Sequence, residues 1–186
     1  MIFTDSTLNG ENQLQEVKYI DVYYPYWIKD QYGNKIKNPK FDNFSGLILD
    51  LKEGKPQAIN HFYKVVHPQI RSNIAITYVP SHDPEKIDSG IKKLAKKLAA
   101  ESRVDATDCL VRHTKIAKLA EGGDRDKSIH HNSISIFNPH LLKNKHVLII
   151  DDVTTTNHSL LACQEILCNY DVKSVQCLAL GQTEGY

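Results

Sequence analysis

The stretch Val147-Leu-Ile-Ile-Asp-Asp-Val-Thr-Thr-Thr-Asn-His-Ser-Leu160 decides the reading of this chain. Four apolar residues, 147–150, have the length and character of a buried strand. Two carboxylates, Asp151 and Asp152, follow at its end. Thr154, Thr155, Thr156, Asn157, His158 and Ser159 then lead into a helical pattern with Leu160, Leu161, Ile166 and Leu167 in phase. A hydroxyl-rich loop at a helix N-terminus favours phosphate, because free N–H groups and the helix dipole attract an anion. Two adjacent acids would repel that phosphate. Their targets are therefore sugar hydroxyls or a hydrated Mg²⁺. The stretch predicts a phosphorylated sugar, with magnesium. Its bland alternative is a buried strand with an acidic cap before a helix.

On either side of this stretch, strand and helix patterns alternate. Upstream, Gly46 to Leu51 reads as a strand. Pro56 opens a helix whose Ile59, Phe62, Tyr63 and Val66 share a face. Asn73 to Val79 reads as a strand ending at Pro80. Asp88 or Ser89 caps a helix with an apolar stripe of Ile91, Leu94, Ala95, Leu98 and Ala99. Cys109 to Arg112, Ser133 to Phe137 and Ser174 to Leu180 complete the strands. Such alternation predicts an α/β fold, a largely parallel sheet with helices on both faces. Ligands of such sheets bind at the carboxyl ends of the strands. Residues 1–16 are polar and without period, and 17–28 have strand character broken by Pro25.

Composition narrows the function further. The chain has 186 residues, with 23 basic and 22 acidic side chains and a formal net charge of +1. That argues against a dedicated electrostatic nucleic-acid binder, while a local basic pocket stays open. No apolar run approaches the ~20 residues of a membrane helix, and no secretory leader pattern is seen, so no membrane is expected. Cys109, Cys163, Cys168 and Cys177 lie in apolar segments without a Cys-x-x-Cys pair. They read as small buried hydrophobes of a reducing, cytoplasmic compartment.

The segment 147–160 resembles the PRPP-binding motif of type I phosphoribosyltransferases: apolar strand, Asp-Asp, a hydrophobic residue, any residue, Thr-Thr-Gly, any residue, Thr or Ser, Leu, with Asn157 standing where glycine is usual. Asparagine is the residue next most tolerant of the left-handed backbone that glycine supplies. Val79-Pro-Ser-His-Asp83 and Leu51-Lys-Glu-Gly-Lys-Pro56 are most similar to the ComF-like branch. The resemblance covers about residues 47–182 and implies the type I phosphoribosyltransferase fold over 47–186, with 1–46 as a tail and small N-terminal hood. It implies transfer of phosphoribose from PRPP to a nitrogen nucleophile, with release of pyrophosphate and Mg²⁺ as cofactor. In that reading Thr154, Thr155, Thr156, Asn157, His158 and Ser159 hold the 5-phosphate. Asp151 and Asp152 face the ribose and the metal. Ser81, His82 and Asp83 take pyrophosphate, and Arg125 closes over it. The alternative is a non-catalytic protein that senses PRPP or a nucleoside monophosphate, or an accessory protein in DNA handling. A second copy of the chain or an accessory protein is a candidate partner.

Several weaker features have ordinary readings beside the functional ones. Ser81 to Asp83 could be a plain strand–helix turn. Arg112, Lys115, Arg125 and Lys127 lie in or near a charged stretch that solvent alone could explain. Lys92, Lys93, Lys96 and Lys97 read as a solvated helix face. The nine histidines lack the spacing of a zinc site, although His130 or His131 could touch phosphate. Tyr19, Tyr23, Tyr24, Tyr26 and Trp27 could stack on a base or simply pack.

Overall fold

The apolar run 147–150 lies at the centre of a five-stranded parallel sheet. The computed structural model describes residues 16–100, 102–116 and 127–185. The strands of the sheet are β1 (Lys18–Tyr23), β4 (Ala75–Tyr78), β5 (Val104–Asp105), β8 (His146–Thr154) and β9 (Ser174–Thr183), in the order β1-β9-β8-β4-β5. All four pairings are parallel. Five helices accompany them among the described residues: α1 (Asn43–Lys52), α2 (Pro56–Val66), α3 (Gly90–Ala99), α4 (Lys127–His131) and α5 (His158–Cys168). The expected architecture, a parallel sheet flanked by helices, is therefore what the chain adopts.

Side chains alternate across the sheet, as a pleated strand requires. Leu148 and Ile150 face one layer, where α1, α2 and α3 pack through Leu51, Phe62, Leu94 and Leu98. Val147 and Ile149 face the other, where α5 packs through Leu160, Cys163 and Leu167. Each of these side chains is fully buried. The run 147–150 is apolar on every residue because both of its faces are covered, and β8 continues beyond it through the acids to Thr154 rather than ending before them. All four thiols are unpaired, and three are buried. Burial pushes the Cys163 thiol up to about 12 and that of Cys109 up to about 11.

The structure corrects three expectations. Residues 46–51 are helical, not a strand. Asp42 caps this helix by accepting from the Ser45 N–H at 2.8 Å, and Ile48 and Leu51 share the buried face. A short apolar run does not distinguish the two states, and the cap decides for the helix. The boundary expected at 46/47 thus falls inside α1. Next, β6 (Leu110–Arg112) and β7 (Ile134–Ile136) form a separate antiparallel ribbon beside α5 and are not strands of the main sheet. Finally, part of the segment expected to form a hood, 18–23, is the edge strand β1 beside β9. Past Pro25, β2 (Trp27–Lys29) and β3 (Lys35–Lys37) make a small hairpin, where Tyr26 packs edge-on against Trp27 and Phe41.

Candidate functional site

Connectivity places a crevice between β4 and β8. From β4 the chain passes through α3 to β5 on one side; from β8 it passes through α5 to β9 on the other. The two crossover helices pack on opposite faces, so their N-termini open a gap at the carboxyl edge of the sheet, where such folds bind ligands. A cleft of about 370 Å³ fills this gap. Pro80, Ser81 and His82 line it from the β4 side, and Asp151, Asp152 and Ser159 from the β8 side. Lys52, Lys86, Gly90, Arg112 and His130 also line it.

The turn into α5 is fixed by its own residues. Asn157 occupies the left-handed region, at φ 62° and ψ −1°, where asparagine is tolerated better than other side chains. Its amide N–H donates to Thr154 Oγ1 at 3.1 Å, and that hydroxyl donates back to Asn157 Oδ1 at 2.8 Å. Thr154 is buried, so its hydroxyl serves the turn itself. From β9, Gln182 Nε2 donates to the Thr155 carbonyl at 3.0 Å, and the Thr155 and Thr183 hydroxyls lie 3.1 Å apart. The first turn of α5, at 158–160, offers N–H groups that have no acceptor within the helix.

Two acids stand at the mouth of this turn in different surroundings. Burial, reinforced by the charge of Asp152, pushes the Asp151 carboxyl well above the usual carboxylate range. Lys52, at the end of α1, places its Nζ 3.2 Å from Asp152 Oδ1. Burial opposes the charge on Lys52, but Asp152 and Asp151 outweigh it and raise the ammonium pKa. Asp151 Oδ1 accepts the Asp152 N–H at 2.8 Å, and Asp152 Oδ1 accepts the Val153 N–H at 2.6 Å. In all three of these contacts the carboxylate atom used is Oδ1. Two adjacent hard-oxygen donors fit a Mg²⁺ that keeps waters and substrate oxygens. Among the described residues no three metal-ligating side chains gather, so a closed protein cage is not what this pair forms.

The loop after β4 is held from outside. Arg112, at the end of β6, is 4% exposed. Its Nε donates to the Ser81 carbonyl at 2.6 Å and its Nη2 to that of Pro80 at 3.4 Å, while Nη1 donates to Ser133 Oγ. The same Nη2 lies 3.3 Å from His130 Nδ1, and His130 Nε2 lies 3.2 Å from Ser159 Oγ. Asp83 turns out of the cleft to pair with Lys115 Nζ at 2.5 Å, and that hydrogen bond holds its carboxyl below the usual range.

Of the residues singled out from the sequence, the cleft gathers Ser81, His82, Asp151, Asp152 and Ser159, together with the weaker candidates Arg112 and His130. Asp83 lines a smaller neighbouring pocket. Thr154 to His158 build the turn beside the cleft. Arg125 lies outside the described residues, and the Lys127 side chain is likewise not described. His131 faces α5, with Nε2 2.7 Å from Glu165 Oε2. Sequence reasoning misses Lys52, Lys86 and Gly90 as site residues. Lys52 carries a signal, since it ends a helix just before Gly54, but a strand reading of 46–51 hides it. Gly90 is required by close approach: a Cβ there would lie 1.7 Å from the Leu51 carbonyl oxygen.

No protein-family model matches the chain, and no curated protein matches it. Among solved structures, two crystal forms of a hypoxanthine phosphoribosyltransferase from Staphylococcus aureus are similar, each at 14% identity, with TM-scores of 0.39 and 0.35. Each match covers 73% of this chain and 64% of that one, so the chain spans less than two thirds of the protein it resembles.

Proposed function

We propose that the chain is a phosphoribosyltransferase-like protein that binds PRPP with Mg²⁺ in the β4–β8 cleft and transfers phosphoribose to a nitrogen nucleophile. One observation carries this reading: an acid pair near the end of the central strand, followed there only by Val153 and Thr154, leads into a left-handed asparagine turn at the start of α5. That juxtaposition suits a ligand with an anionic end and a hydroxylated ring beside it. The 5-phosphate sits at the α5 N-terminus, where the dipole and the N–H groups of 158–160 favour it. Asp151 and Asp152 accept the ribose hydroxyls. The pyrophosphate end points toward the loop 80–82, with Arg112 fixing that loop from behind. A Mg²⁺ held by Asp151 and Asp152 would supply charge neutralisation for the departing pyrophosphate. In the reaction the bond from C1 to the pyrophosphate oxygen breaks and its electron pair leaves with pyrophosphate, while the nitrogen lone pair forms the new bond to C1 and the proton that nitrogen sheds passes to water. Positive charge grows on the ring beside Asp151 and Asp152, whose carboxylates stabilise it.

A second reading, a PRPP or nucleotide sensor without turnover, is favoured by Lys52. Its ammonium already supplies a cation at Asp152, which suits binding more directly than it suits metal-assisted departure of pyrophosphate. The two readings part in one assay. Protein, PRPP and Mg²⁺ are incubated with a panel of nitrogen bases, and pyrophosphate release is measured. Base-dependent release supports transfer. PRPP binding with no release from any base supports the sensor.

A further inference from the structure

Four bonded groups cross the floor of the cleft, from the Ser81 carbonyl through Arg112 and His130 to the Ser159 hydroxyl. The chemistry of the donors fixes the direction of each bond. A guanidinium only donates. Arg112 Nη2 faces His130 Nδ1, so Nδ1 must accept, and the ring proton of a neutral imidazole must sit on Nε2. Nε2 then donates to Ser159 Oγ. A serine hydroxyl has one proton, and with an incoming bond already on its oxygen that proton is available to a second acceptor. Ser159 lines the cleft in the first turn of α5.

We propose that His130, held in its Nε2–H tautomer by Arg112, is a positioning residue that aims the Ser159 proton at the ligand's phosphate, an inference that rests on the phosphosugar reading of this cleft. His130 is 4% exposed, so water does not compete for either ring nitrogen. Burial and the adjacent Arg112 charge pull its pKa down to about 4, which keeps the ring neutral and the order of donors intact at physiological pH. Arg112 cannot rotate away without abandoning the Pro80 and Ser81 carbonyls and Ser133. The orientation of one phosphate donor is thereby tied to the backbone at the opposite end of the cleft.

The tautomer is read first, in the ¹⁵N-labelled full chain, from long-range ¹H–¹⁵N correlations of the His130 ring. The expected result is the Nε2–H form from pH 8 to pH 5; an Nδ1–H form would overturn the inference. Ribose 5-phosphate is then titrated by calorimetry into wild type, Ser159→Ala, His130→Asn and the double variant. Each single change is expected to weaken binding about tenfold, and the double change no more than either alone. His130→Gln, whose amide can place an N–H where Nε2 stood, is expected to recover most of the affinity. Losses that multiply to about a hundredfold in the double variant would show that Ser159 acts without His130, which overturns the inference and leaves the proposed function standing. A folded wild type that binds neither ribose 5-phosphate nor PRPP overturns the proposed function and this inference with it.

Discussion

The turn from β8 into α5 takes three residues, 155–157, and is braced chiefly by bonds among Thr154, Thr155 and Asn157 and from β9. The turn from β4 into α3 takes eleven, 79–89, and is held by Arg112 and Lys115, about thirty residues further along the chain. Both serve one cleft. The first carries its geometry largely in its own sequence. The second borrows its geometry from a separate ribbon. Damage to the first should therefore stay local, whereas damage to the supports of the second should spread through the fold.

The largest effect is expected where α3 begins. Gly90→Ala would push a Cβ into the Leu51 carbonyl, forcing α1 and α3 apart. A loss of at least about 3 kcal/mol is expected in urea unfolding. A loss below about 1 kcal/mol would mean that α3 is not seated on α1 as described. Arg112→Met tests the borrowed support. It leaves the Pro80 and Ser81 carbonyls, Ser133 and His130 without their donor, at a cost of about 3 kcal/mol. PRPP binding is expected to fall with it, since the loop 80–82 loses its tether.

This contrast also explains which parts are legible in the sequence. Asp151 to Ser159 declare their chemistry because a short turn must satisfy itself, and Asn157 in a glycine position is a legible sign of left-handed backbone. The buried part of the central strand, 147–150, is legible because burial on both faces leaves no polar position there. Arg112 can be named only as a weaker alternative to Arg125, because nothing near it in sequence shows that it reaches Ser81. Lys52 is hidden for a related reason. Residues 46–51 read as a strand until Asp42 is seen to cap a helix, and only that helix carries Lys52 to Asp152.

His130 gives the comparison a pH dependence. Its folded pKa, about 4, lies below the ordinary histidine value of 6.5. The unfolded chain therefore takes up a proton first as pH falls, and this residue's contribution to stability is lost between about pH 6.5 and pH 4. The full loss is of order 3 kcal/mol. Asp151, whose folded pKa is raised, works in the opposite direction, so the test is a difference: urea unfolding of wild type against His130→Gln across that range. The wild type should lose more stability than the variant on acidification; parallel curves would contradict the assignment. The smallest effect belongs to the self-braced turn. Asn157→Gly keeps the left-handed backbone and loses only the bond from Thr154 Oγ1 to Asn157 Oδ1. A change within about 1 kcal/mol is expected in thermal unfolding, and a larger one would show that the asparagine side chain holds more than its own turn.

The central claim, that the acid pair and the α5 turn together bind a phosphoribosyl ligand, is tested most directly by calorimetric titration of PRPP with Mg²⁺. It is run on wild type and on Asp151→Asn/Asp152→Asn. The variant should fold at least as well around position 151, because burial already disfavours the Asp151 charge. The account predicts magnesium-dependent binding by wild type that the folded variant loses. Binding of equal strength to both proteins, or none to a folded wild type, would contradict it.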